Sequence, residues 1–260
     1  MRRPHLAFTF ASLCASASLL ADDKPATPKP LPAATPAAPA AKAPVQMPDV
    51  PAPKLERSGE PQAGFVKAHE DFVQIAKEGK TQLLFLGDSI TAGWAGKKPI
   101  WEQAFGAYQP ANFGIGGDRT QHVLWRVQNG ELDGIKPKAV VLMIGTNNVS
   151  FDAAEGIARG ITKIVGTIRE KLPEAKVLLL AIFPRGEKPN PDREKIQQIN
   201  ASIARLGDDK HVFFLDIGAK FLEPDGTLPK ELMYDSLHLS DKGYQVWADA
   251  ITPKLAELMK

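Results

Sequence analysis

Cysteine is nearly absent: Cys14 is the only one in 260 residues. Internal disulfides, cysteine-ligated zinc and, past residue 14, a catalytic thiol are therefore excluded. Neither sign of charge is in excess, with 32 basic against 30 acidic side chains and a net charge of +2. That leaves no electrostatic footprint for nucleic acid or for an anionic membrane surface. Metal-site spacing is missing as well, since the chain has no HExxH and no second histidine close enough to His238 to complete a site. Internal repeats are absent. The hydrophobic share of 43% and charged share of 24% are those of a globular domain.

The N-terminus has its own grammar. Arg2 and Arg3 form a short basic start, Leu6 to Ala21 is apolar with small residues interleaved, and Asp22 and Asp23 end the run. This is the layout of a secretory signal, residues 1–21, and implies export to the periplasm, the cell surface or the medium. A retained anchor is disfavoured, because about 16 residues interrupted by Thr9, Ser12, Ser16 and Ser18 fall short of the ~20 that span a bilayer. Lipidation of Cys14 is disfavoured by bulky Leu13 before it. Residues 22–60 read as a disordered Pro/Ala-rich spacer: ten of the 22 prolines lie between Lys24 and Pro53. Proline lacks the donor that helix and sheet require.

Residues 61–260 are long enough for one well-buried domain. Leu83–Leu86, Ala139–Ile144, Val177–Phe183 and Val212–Leu215 are continuously apolar, as parallel strands covered on both faces are. A weaker strand is expected at Ala111–Phe113. Ile157, Ile161, Ile164, Val165, Ile168 and Leu172 recur at helical spacing. Further helices are expected over Arg119–Asn129, Arg193–Leu206 and Asp241–Met259. Strand and helix in alternation predict an α/β domain whose ligand site lies at the carboxyl ends of its strands.

Residues able to do chemistry fall at those ends. Gly87-Asp88-Ser89-Ile90 follows the first strand and would expose a serine Oγ at a strand-to-helix turn; taken alone, Asp-Ser is also a common helix cap. Gly114 to Asp118 brings three glycines near a ligand, but Arg119 stands where a dinucleotide loop needs glycine. Its Gly117 N–H is a candidate oxyanion donor, with a plain turn as the alternative. Asn147, after the third strand, carries an amide donor and equally suits a turn. Asp235-Ser-Leu-His238 places a carboxylate one turn before a histidine, where it can hold Nδ1–H and leave Nε2 free to take a serine proton. His69 and His122 lack a carboxylate at that spacing.

In the order Ser89, Gly117, Asn147, Asp235-x-x-His238, these blocks resemble the SGNH (GDSL-type) hydrolase superfamily. Asn112 to Lys138, Ile144 to Asn148 and Pro184 to Pro191 further resemble its subfamily of platelet-activating factor acetylhydrolase type Ib catalytic alpha subunits. The resemblance implies a three-layer α/β/α flavodoxin-like fold with a five-stranded parallel sheet. It implies a nucleophile at Ser89, a base at His238 oriented by Asp235, and oxyanion donors at the Ser89 and Gly117 N–H groups and the Asn147 side chain. It implies no cofactor, and a homodimer is compatible with it although no sequence feature demonstrates one. Ile90 replaces the leucine of GDSL, and Asn148 matches the closer subfamily. The expected activity is hydrolysis of small acyl esters, acetyl above all, on carbohydrate. A lysophospholipase or thioesterase is the enzymatic alternative. A catalytically idle glycan- or protein-binding module is the alternative from another class; the complete residue set speaks against it.

Overall fold

A computed structural model describes residues 45–260. The proposed signal and most of the proposed spacer lie outside the described residues. In chain order the elements are α1 (Ala63–Glu78), β1 (Leu83–Gly87), α2 (Ser89–Ala92), α3 (Lys98–Phe105), β2 (Pro110–Gly114), α4 (Thr120–Gln128), β3 (Ala139–Met143), α5 (Ala154–Lys171), β4 (Lys176–Leu180), α6 (Pro191–Ile203), β5 (Val212–Leu215) and α7 (Asp241–Leu258). All five strands are parallel, in the order β2-β1-β3-β4-β5. This is the flavodoxin-like order, in which the chain reverses direction between β1 and β3 and leaves a crevice above their carboxyl ends.

Side chains alternate across each strand and build two different cores. Leu84, Leu86, Val140, Leu142, Val177 and Leu179 face an aliphatic layer formed with α1, α4, α5 and α6. Leu83, Phe85, Val141, Met143, Leu178 and Leu180 face α3 and α7. That second core is aromatic: Phe85 meets Trp101 at 4.8 Å and Phe105 at 5.0 Å between ring centroids, and Trp94 meets Trp247 at 5.1 Å. The three-layer α/β/α architecture follows from burying both faces of one sheet.

The strands and the C-terminal helix fall where their apolar patterns place them. Helices α1 and α3 have no counterpart in the sequence reading. The boundary expected at residue 61 is also corrected: from Gln46, whose side chain meets His122 at 3.0 Å, the chain already lies on the domain. Pro48 is buried, and its carbonyl accepts from Thr120 Oγ1 at 2.6 Å. Ala52 N–H donates to the Gln121 carbonyl at 3.2 Å, while Asp49 pairs with Arg159 at 3.0 Å. A proline-rich chain can make no ladder of its own, yet it lies well in extended form along helices that offer it partners. Among the described residues no helix is long and apolar enough to cross a membrane.

Candidate active site

Strand β1 ends at Gly87, where a Cβ would stand 2.1 Å from Thr91 Oγ1 and 2.4 Å from the Met143 carbonyl. Only glycine lets the chain turn there so tightly. Asp88, wholly buried, caps α2 by accepting the Ile90 N–H at 3.0 Å. Its second oxygen has no partner. Burial pushes its carboxyl up to about 7, against the pull of the Ile90 N–H. Ser89 is thus the first residue of a short helix at the top of the sheet. Tyr244 of α7 donates to the Ile90 carbonyl at 2.6 Å and ties that helix to the one that follows His238.

The Asp235–His238 turn is held by its own backbone. Ser236 has φ +61°, in the left-handed region that costs an L-residue roughly 1–2 kcal/mol. The curl brings one Asp235 oxygen onto the N–H groups of Leu237 (3.1 Å) and His238 (2.6 Å). The other oxygen takes His238 Nδ1 at 2.7 Å. Burial acts to raise the Asp235 carboxyl, but the bonds from His238 outweigh it and hold it below the ordinary value. An ionised carboxylate only accepts, so the ring proton resides on Nδ1 and Nε2 has a free lone pair. That nitrogen lies 2.9 Å from Ser89 Oγ, across 149 positions of sequence. The Tyr234 ring stacks near the imidazole at 6.1 Å and is itself exposed.

The glycine loop after β2 flanks the serine: a Cβ on Gly116 would sit 4.0 Å from Ser89 Cβ. Gly117 has φ +73°. Asn147, after β3, donates one amide hydrogen to the Asp118 carbonyl at 2.9 Å, which leaves the second free. Ser89, Gly117 and Asn147 thus follow the carboxyl ends of β1, β2 and β3, and the Asp235–His238 turn ahead of α7 reaches Ser89 there.

Beneath the loop is an ionic network the sequence reading missed. Asp118, Arg126 and Glu131 are fully buried. Arg126 Nε donates to Asp118 at 2.9 Å, and its other nitrogens reach Glu131 and the carbonyls of Gly87 (3.3 Å) and Phe113 (3.1 Å). Burial would lower the guanidinium, but the two carboxylates outweigh it and hold it above its ordinary value. His69 takes Glu131 as partner at 3.1 Å. His122 accepts the Arg119 N–H at Nδ1 and donates from Nε2 to Gln46, so it is neutral. Burial, with help from nearby Lys54, Arg119 and Arg126, pushes it down to about 3. Among the described residues no histidine, cysteine, aspartate or glutamate side chains cluster as a metal site would require.

The GDSL-like Lipase/Acylhydrolase family model matches residues 85–246. Platelet-activating factor acetylhydrolase IB subunit alpha1 of Homo sapiens is 41% identical over 196 residues, covering 75% of this chain and 84% of that one. Subunit alpha2 of Mus musculus is 42% identical, covering 69% and 78%. Among solved structures, a GDSL-like lipase from Bacteroides thetaiotaomicron superposes with a TM-score of 0.61 at 20% identity, covering 73% of this chain and 97% of that one. A mutant acetyl-xylooligosaccharide esterase from Geobacillus Stearmophilus gives 0.54 at 21%, covering 70% and 96%. These last two are likenesses of fold.

Proposed function

The chain belongs to the GDSL-like lipase/acylhydrolase family and is a carboxylic ester hydrolase; we propose that it removes acetyl and similarly small acyl groups through an acyl-enzyme on Ser89. The observation that carries the reading is the continuous line from Asp235 through His238 to Ser89, 2.7 Å and 2.9 Å. His238 Nε2 takes the Oγ proton as Oγ bonds to the acyl carbon, and the carbonyl electron pair moves onto oxygen. That oxyanion is met by the Ser89 N–H, the Gly117 N–H and the free amide hydrogen of Asn147. As the intermediate collapses, the bond to the leaving oxygen breaks and Nε2–H protonates the alcohol. Water then repeats the sequence on the acyl-enzyme, with the same base. Asp235 holds the tautomer and balances the imidazolium.

The small acyl group is supported by the acetylhydrolase name of relatives at 41–42% identity. A carbohydrate acceptor is supported by two exposed aromatic rings beside the mouth. Tyr234 adjoins Asp235, and Phe151 lies under the Arg119 guanidinium at 4.0 Å. Such faces suit the apolar side of a sugar ring. Rates on acetyl and octanoyl p-nitrophenyl esters, followed by acetylated xylan and pectin, test both parts. Faster turnover of the octanoyl ester would favour a lysophospholipase or thioesterase, and a failure to label Ser89 with a fluorophosphonate would favour an idle binding module. Export rests on residues 1–21, and N-terminal sequencing of protein recovered outside the cytoplasm tests it.

A further inference from the structure

Asp118 N–H donates to the Ile115 carbonyl at 3.2 Å and closes the oxyanion loop as a turn, a bond that leaves the orientation of the central Gly116–Gly117 peptide open. Gly116 and Gly117 are both glycine, and a Gly-Gly peptide rotates at little steric cost. Its fixed orientation comes from outside the region matched by the family model, from Lys54. Gln62 N–H donates to the Lys54 carbonyl at 2.8 Å, fixing the backbone there. The side chain, 13% exposed, passes by the Phe65 ring and ends against the loop. Its ammonium donates to the Gly116 carbonyl at 2.6 Å. It also lies 2.9 Å from Asp118 Oδ1, an ion pair without the alignment of a hydrogen bond.

The Gly116 carbonyl and the Gly117 N–H belong to one planar trans peptide group and point in opposite directions. Whatever pins the carbonyl therefore aims the N–H. A cation on the carbonyl also polarises the peptide and strengthens its donor end. We propose that Lys54 is a positioning residue for the oxyanion hole, holding the Gly116–Gly117 peptide so that its N–H faces the reacting carbonyl. The proposal rests on the reading of Gly117 as an oxyanion donor. Freed of the ammonium, the peptide can turn over and present a carbonyl where negative charge develops.

The competing role is that of a counter-ion: Lys54 would only balance buried Asp118. The two roles separate when the double variant Lys54→Met/Asp118→Asn, which removes one charge of each sign and leaves Arg126 paired with Glu131, is compared with Asp118→Asn alone. Steady-state kinetics on p-nitrophenyl acetate would be measured for the wild type, Lys54→Met, Asp118→Asn and the double variant, with thermal melts alongside. Removing an oxyanion donor costs ~10²–10³-fold in kcat, so misaiming one is expected to cost about 10- to 100-fold in the double variant relative to Asp118→Asn. KM should stay within about twofold, because the contact forms in the transition state.

A folded double variant with the kcat of Asp118→Asn overturns the proposal and leaves Lys54 a counter-ion. A raised KM at unchanged kcat overturns it as well. If Lys54→Met alone does not fold, the double variant carries the test. Fluorophosphonate labelling of wild-type Ser89 keeps the two readings apart: without it the esterase mechanism fails, whereas with it only the role of Lys54 is at stake.

Discussion

Ser89, His238 and Asp235 stand partly in solvent, with the His238 and Asp235 side chains 31% and 43% exposed, whereas Asp118, Arg126 and Glu131 beside them have no exposure at all. The first cluster must exchange protons and change charge during each turnover. It is built from turns, with one hydrogen bond per link. The second performs no proton transfer in the proposed mechanism. It satisfies the carbonyls of Gly87 and Phe113 at the ends of β1 and β2 and anchors the glycine loop. Reacting groups are thus kept accessible, and the amides that would receive the oxyanion are kept still by desolvated charge. A buried ion pair adds little net stability over an apolar pair, but losing one partner is costly.

The sharpest way to break this contrast is Ser89→Ala, which should lower kcat by about 10⁶-fold while leaving the melting temperature near that of the wild type. Asp235→Asn should be milder, about 10³–10⁴-fold, because the serine, the base and the oxyanion donors remain. Equal losses in the two purified variants would show that Asp235 does more than orient His238. Arg126→Met leaves buried Asp118 with Lys54 alone and buried Glu131 with His69 alone, and should cost about 3–5 kcal/mol of stability by urea denaturation, an effect on folding that the two active-site variants should lack.

The smallest effect sharpens the contrast through pH. Asp88, beside the serine, keeps its proton up to about 7, whereas the unfolded chain loses it near 3.8. Its contribution to stability therefore falls as pH rises through that window. His122, in the buried network, stays neutral down to about 3, whereas the unfolded chain protonates near 6.5. Its contribution rises over about the same range. The two oppose one another between about pH 4 and 6.5, each with a slope of at most about 1.4 kcal/mol per pH unit. Asp88→Asn should unmask a melting temperature that rises with pH, and His122→Gln one that falls. Parallel profiles in both variants would contradict the assignment.

The strands were legible because each is covered on both faces, so burial writes an unbroken apolar run such as Leu83–Leu86 or Val212–Leu215. Helix α1 was not, since its buried side includes His69, whose partner Glu131 lies 62 positions away. The spacer was read too long because composition reports what a proline-rich chain cannot build, not which helices it can lie against. Asp118 and Arg126, eight residues apart on either side of a helix start, carry no signal that they would be buried together.

Short-range geometry alone determined the Asp235–His238 pair and the cap that Asp88 makes after β1. Hydrogen bonds over one turn depend on residue type and spacing, and both are written in the chain. The tertiary structure decided that Ser89 meets His238 across 149 positions and that Lys54 reaches Gly116 across 62. Those contacts exist only because burying both faces of the sheet in the order β2-β1-β3-β4-β5 brings distant strand ends to one edge. Long-range polar partners are chosen by where apolar burial leaves them, and no local pattern records that choice.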